Sequence, residues 1–174
     1  MKQSNQVMTM QTYDSQTATL NQINASAKAQ LNKPLLQQGS QGDAVKELQT
    51  LLTQWGTYTG TIDGIFGSSV KKAVINYQHR VFLVEDGIVG RLTWQALYTG
   101  APVNMPVLSQ GSFGKSVILL QNLLSSTKDY LGEIDGDFGR RTKAAVQAFQ
   151  KRSGLGVDGI VADSTWFYLS KIPH

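Results

Sequence analysis

The sequence predicts a mainly α protein built as two tandem three-helix units behind an N-terminal arm. Three observations carry this reading. The stretch Ile62-Asp63-Gly64-Ile65-Phe66-Gly67 recurs 72 residues later as Ile134-Asp135-Gly136-Asp137-Phe138-Gly139. At that offset, with no gap, about 30 of the 63 positions from Leu36 to Tyr98 are identical to those from Leu108 to Ser170, which marks a duplication. Within each copy, apolar residues recur at spacings of three and four between Asp-Gly turns, the period of a helix with one buried face.

Residues 1–33 hold ten Gln or Asn and few large apolar side chains, so the arm reads as flexible or conditionally ordered. Leu20, Ile23, Ala27 and Leu31 give one apolar stripe over residues 16–31, with Asp14 and Ser15 in front as caps and Pro34 behind as a stop. That stripe serves either a linker or a docking helix. The first unit, residues 34–99, opens with Leu35-Leu36 and a turn from Gly39 to Gly42. Asp43 is placed to cap a helix whose apolar positions are Val45, Leu48, Leu51 and Leu52, and Gly56 stops it. At the loop around Asp63, the carboxylate accepts from amides two residues on and Gly64 takes a positive φ. Phe66 then pins the turn to the core. A second helix, with Ser68 as its expected cap, carries Val70, Ala73, Val74, Tyr77 and Val81. Asp86-Gly87 turns the chain through Ile88-Val89 into a third helix near Leu92 to Tyr98, with Trp94 and Leu97 inward. Residues 100–107, with Pro102 and Pro106, form an extended linker of limited flexibility. The second unit, residues 108–174, repeats the plan with Val117, Leu120, Leu123 and Leu124, then Phe138, then Ala145, Val146 and Phe149, then Trp166 and Leu169.

Composition narrows the function. There is no cysteine, hence no disulfide framework, thiol nucleophile or thiolate zinc site, and the two histidines, His79 and His174, lack a second His at helical spacing. The net charge of +4 is mild, with the arm contributing Lys2, Lys28 and Lys33 against Asp14. It suits an anionic polymer and is too diffuse to indicate nucleic acid. No apolar run follows Met1, so neither a secretory signal nor a membrane span is expected.

Taken in order, the motifs are Gly-x-x-Gly, Val-x-x-Leu-Gln-x-x-Leu, Asp-Gly-x-Phe-Gly, Ala-Val-x-x-(Tyr or Phe)-Gln, Asp-Gly-Ile-Val and Thr-Trp-x-x-Leu. Each repeat thereby resembles the peptidoglycan-binding domain family, often appended to wall hydrolases. The resemblance covers residues 36–98 and 108–170. It implies a three-helix fold with a shallow surface site for wall polymer or its stem peptides. Three positions depart from the family pattern: Val70 where repeat 2 keeps Thr142, Phe82 where repeat 2 keeps Gly154, and Ala162 where repeat 1 keeps Gly90. A drifted groove in repeat 1 is the expectation.

Catalysis finds little support in the residues. A cross-linking transpeptidase needs a Cys, a zinc amidase needs His ligands, and a muramidase needs a protonated acid beside a second carboxylate, whereas Glu47, Glu85 and Glu133 stand apart. Calcium fits no better, because Arg140-Arg141 follow Asp135-Gly136-Asp137 where an EF-hand needs further oxygen ligands. No cofactor or metal is expected.

The expectation is therefore non-catalytic binding of peptidoglycan by two modules. Its candidate ligand residues are Asp63, Ser68, Ser69, Asp135, Arg140, Arg141 and Thr142 around the loops and helix starts, with Trp55 or Tyr130 offering an aromatic face to sugar. Trp55 stands out because its counterpart is Thr127, while Trp94 and Trp166 occur in both copies and read as core. Arg140, Arg141 and Lys143 make repeat 2 the stronger anion binder. Wall binding implies the cell envelope or the outside of the cell, with the export route unread. The alternative is a structural component of a larger bacterial or phage-like assembly, cytoplasmic in location, that keeps the fold and docks a protein partner through residues 1–33.

Overall fold

The computed structural model describes residues 32–173. The first lobe contains helices α1 (Asp43–Gln54), α2 (Ser68–Arg80) and α3 (Arg91–Thr99), and the second contains α4 (Lys115–Ser126), α5 (Arg140–Arg152) and α6 (Asp163–Leu169). The protein is mainly α. Among the described residues no strand forms, and extended segments meet only at isolated antiparallel bridges, Leu36 with Val89 and Gln41 with Ile65 in lobe 1, Leu108 with Val161 and Phe113 with Asp137 in lobe 2. The amphipathic stripe expected over residues 16–31 lies outside the described residues. Where the described chain begins, Lys33 Nζ meets Glu47 Oε2 at 2.5 Å and lies over the Trp94 and Tyr98 rings, while the Trp94 indole donates to Pro34 O at 2.9 Å.

Each lobe has its own core. Val45, Leu48 and Leu52 of α1 close on Phe66, on Val70, Val74 and Tyr77 of α2, and on Trp94 and Leu97 of α3. The second core repeats this with Val117, Leu120, Leu124, Phe138, Val146, Phe149, Trp166 and Leu169. Burying one such side chain contributes roughly 1.5–3 kcal/mol. Phe66 and Phe138 are completely enclosed, so each Asp-Gly loop is held down by its own ring.

The caps are not those expected from the sequence. Asp43 and Ser68 are the first residues inside their helices, and the N-cap positions belong to Gly42 and Gly67, with no side-chain capping bond. The reason is the crossing of two chain segments: Gly42 has φ 105°, which a side chain rarely tolerates, and its N–H donates to Gly64 O at 2.9 Å. A Cβ added at Gly64 would stand 3.2 Å from Gly42 O, so glycine on both strands of the crossing lets them touch.

Four buried glutamines hold the turns. Gln49 of α1 donates through Nε2 to Asp63 Oδ1 at 2.7 Å and accepts from Gly64 N–H at 2.8 Å. Gln78 of α2 does the same at Asp86 (2.8 Å) and Gly87 (2.9 Å). In lobe 2, Gln121 of α4 engages Asp135 (2.7 Å) and Gly136 (2.9 Å), and Gln150 of α5 engages Asp158 (2.7 Å) and Gly159 (2.9 Å). Each lobe thus contains the unit helix, buried Gln, Asp-Gly turn twice.

The lobes meet through a few side chains. Gly100 closes α3 in the left-handed conformation, Val103 packs on the first core and Met105 on the second. Phe82, just after α2, crosses to the second core and meets the Trp166 ring edge-on, 5.8 Å between centroids. It sits at φ 59°, where the other copy has Gly154 at φ 70°.

Candidate functional site

The loops around Asp63 and Asp135 and the helix starts behind them have the same backbone and different surfaces. Asp63 Oδ1 accepts from Ile65 N–H at 2.9 Å and Asp135 Oδ1 from Asp137 N–H at 2.9 Å, in addition to the glutamine bonds. The Gln49 amide and the Ile65 N–H hold the Asp63 carboxyl below its ordinary range. At Asp135 the Asp137 N–H and then the Gln121 amide do so, and at Asp158 the Ile160 N–H and the Gln150 amide. These carboxylates shape their turns through Oδ1.

The other sequence candidates divide into exposed and buried groups. Ser68 and Ser69 at the start of α2, and Arg140 and Arg141 at the start of α5, are exposed. Thr142 is buried; its hydroxyl donates to Asp137 O at 3.2 Å and lies 3.3 Å from the Gln121 amide nitrogen, so it supports the turn from inside. Tyr130 is only 4% exposed and its hydroxyl donates to Glu133 O at 2.7 Å, so most of the ring belongs to the core. Tyr58, in the same register of repeat 1, donates to Thr61 O at 2.9 Å and shows that this aromatic serves the fold in both copies. Trp55 is half-buried at the junction of the lobes. Its indole donates to Leu97 O at 2.7 Å and its ring leans on Gly100, where an added Cβ would lie 2.0 Å from Cη2.

The described surface includes two hollows. In lobe 2 a shallow hollow of about 360 Å³ runs beside Arg141, bordered by Asp129, the edge of Tyr130, Leu131, Gly132 and Ala144. Leu131 is 90% exposed, an apolar rim beside a guanidinium. A smaller cleft of about 220 Å³ lies where Arg80 of lobe 1 faces Lys171 of lobe 2. Among the described residues no three His, Asp or Glu side chains come close enough to hold a metal ion. No helix of the described chain is long and apolar enough to cross a membrane.

The glutamines were the part of the site that the sequence reading passed over. Their signal was present: each stands in a buried register directly after Leu, Tyr or Phe, and each repeats with its Asp-Gly partner. Periodicity assigns meaning to apolar residues and leaves a buried amide looking like a polar filler.

Residues 41–97 and 113–167 each match the model of the putative peptidoglycan binding domain. The chain belongs to this family. The two matched segments contain all four glutamine-held turns. Among curated relatives of this chain, the N-acetylmuramoyl-L-alanine amidase CwlM of Mycobacterium tuberculosis is 30% identical over 142 residues, 73% of this chain and 35% of that protein. The spore cortex-lytic enzyme of Bacillus subtilis is 41% identical over 76 residues, 43% of this chain and 25% of the enzyme. Among solved structures, the SleB N-terminal domain aligns with 40% of this chain and 96% of its own length at 37% identity, with a TM-score of 0.39. The chain spans well under two thirds of the length of these enzymes, and the shared part is the peptidoglycan-binding domain.

Proposed function

We propose that the protein binds bacterial peptidoglycan through both modules without cleaving it, and acts at the cell envelope. The observation that carries this reading is the duplicated family match, residues 41–97 and 113–167, which leaves only short segments of the described chain unassigned. Arg140 and Arg141 are the groups best placed to hold an anionic part of the ligand. They are exposed, they stand where the first amides of α5 point outward, and Arg141 borders the hollow. Leu131 and the edge of Tyr130 supply the apolar side of the same surface, as sugar and peptide ligands require. At the matching place repeat 1 offers Ser68 and Ser69, which can donate hydrogen bonds but add no charge. Asp63, Asp135 and Thr142 contribute by fixing the loops.

The purified full chain should co-sediment with isolated sacculi and leave no lytic band in a zymogram. Arg140→Ser with Arg141→Ser, the residues of repeat 1, should weaken sedimentation and flatten its dependence on salt. Absence from the pellet refutes binding, and a cleared band refutes the non-cleaving half. An equal loss on altering only Ser68 and Ser69 would move the main surface to repeat 1.

A further inference from the structure

The two copies treat one arginine differently. In lobe 2, Arg152 at the end of α5 clasps the Asp129 carboxylate through Nε (3.1 Å) and Nη2 (2.7 Å) to Oδ2. Arg80 occupies the same register at the end of α2, but repeat 1 has Thr57 where repeat 2 has Asp129. Deprived of that acid, Arg80 donates Nη1 to Trp55 O at 2.9 Å and places Cζ 6.0 Å from the centre of the Trp55 ring. A second cation reaches the same ring from the other lobe: Lys171 Nζ stands 5.3 Å from the Trp55 centre and 4.4 Å from that of Phe167.

Two positive charges thus share one indole across the lobe junction. Among the described residues no carboxylate lies within 4.0 Å of either. The nearest acid in sequence, Glu85, is taken by His79 Nδ1 at 2.8 Å on the cleft margin. Burial against the rings, and then the Arg80 charge beside it, hold the Lys171 ammonium below the usual lysine range. Cation–ring contact offsets part of this repulsion, but like charges held beside one half-buried ring, Lys171 exposed and Arg80 partly so, favour a counter-ion between them. The adjoining cleft of about 220 Å³, bordered by His79, Arg80, Ser170, Lys171, Ile172 and Pro173, has room for one. At ~30 Å³ per water, that space suits a charged group with a short stem and is small for a disaccharide.

We infer that this cleft between the lobes is an oxyanion site for a carboxylate or phosphate group, with Arg80 and Lys171 as its ligands, one from each lobe. Trp55 is the platform that aligns the two cations. Occupancy ties the lobes together, because each contributes a charge that the other cannot replace. The inference does not depend on wall binding: sacculus sedimentation and anion binding can succeed or fail separately.

The test is titration of the full chain, followed by the Trp55 indole resonance and by tryptophan fluorescence, with inorganic phosphate, with acetyl-alanyl-alanine as the free acid, and with its amide. Saturable shifts with phosphate, the free acid or both are expected, and none with the amide; the comparison of the two anions assigns the source chemistry. Arg80→Gln and Lys171→Gln should each weaken binding at least about tenfold, the loss of a charge-assisted contact. The sharper variant is Thr57→Asp, which gives repeat 1 the acid that repeat 2 already accommodates. It should keep the far-UV spectrum and melting temperature of the parent while abolishing the titration. Undiminished binding by Thr57→Asp, equal response to the amide, or no saturable shift at all would overturn the inference.

Discussion

Phe82 carries a conformational penalty at the junction of the lobes, and the balance between that penalty and its packing can be measured. Its φ of 59° lies in the left-handed region, which costs a residue with a Cβ roughly 1–2 kcal/mol. Against this stands the ring. A phenylalanine buries about 200 Å² when enclosed, so half-burial removes roughly 100 Å² from water, about 2.5 kcal/mol at 25 cal/mol per Å². The edge contact with Trp166 at 5.8 Å adds about 0.5–1.5 kcal/mol. Phe82→Ala keeps the strained backbone and loses the ring, so it should destabilise by about 3 kcal/mol. Phe82→Gly loses the same ring but relieves the strain, and should cost about 2 kcal/mol. The order is the diagnostic, since glycine is ordinarily the more destabilising choice. Urea unfolding followed by circular dichroism and tryptophan fluorescence gives both values, and in either variant the lobes should begin to unfold at separate midpoints. A glycine variant no more stable than the alanine variant, or two variants within about 0.5 kcal/mol of the parent, would refute the reasoning.

Other outcomes follow from the turns and the junction. Gln121→Met keeps the volume and removes the acceptor for the buried Gly136 N–H, so stability should fall by about 1–3 kcal/mol from that orphaned donor alone, read by urea midpoint. Because Asp63, Asp135 and Asp158 have folded pKa values below the ordinary 3.8, the protein binds fewer protons folded than unfolded; their stabilisation is present above that pH and is lost as pH falls through the lowered folded values. Melting temperature should therefore drop steeply below about pH 4, and Asp63→Asn with Asp135→Asn should flatten that drop. Gly100→Ala puts a Cβ at φ 64° and 2.0 Å from Trp55 Cη2, so the indole should be expelled, seen as a red-shifted emission and as faster solvent exchange of the Trp55 indole N–H that donates to Leu97 O.

The duplication made the helices and the core legible in the sequence. Leu48, Phe66, Val74, Trp94 and Leu97, with Leu120, Phe138, Val146, Trp166 and Leu169, are all buried, because residues kept at the same register in both copies are kept by packing. The same test would have moved Tyr130 from surface to core, since Tyr58 matches it. Helix entry was misread at Asp43 and Ser68 because cap preference describes an isolated helix, whereas here the chain crossing at Gly42 and Gly64 sets the start. Phe82 and Arg80 were opaque for a different reason. What they touch belongs to the opposite lobe or depends on an acid missing from their own, and no periodic pattern within one repeat records that.

The glutamine hold on each turn separates two jobs that a surface loop must otherwise do together. Gln49 and Gln121 grip an aspartate, a glycine amide, a backbone carbonyl and buried hydroxyls, and none of these bonds uses the side chain of the residue between Gly and Phe. Ile65 and Asp137 occupy that place, one greasy and one charged, on the same backbone trace. Mutation can therefore rewrite the outward face of the loop while the folding instructions stay underneath it, which lets one scaffold drift toward new surfaces without passing through unfolded intermediates in sequence space.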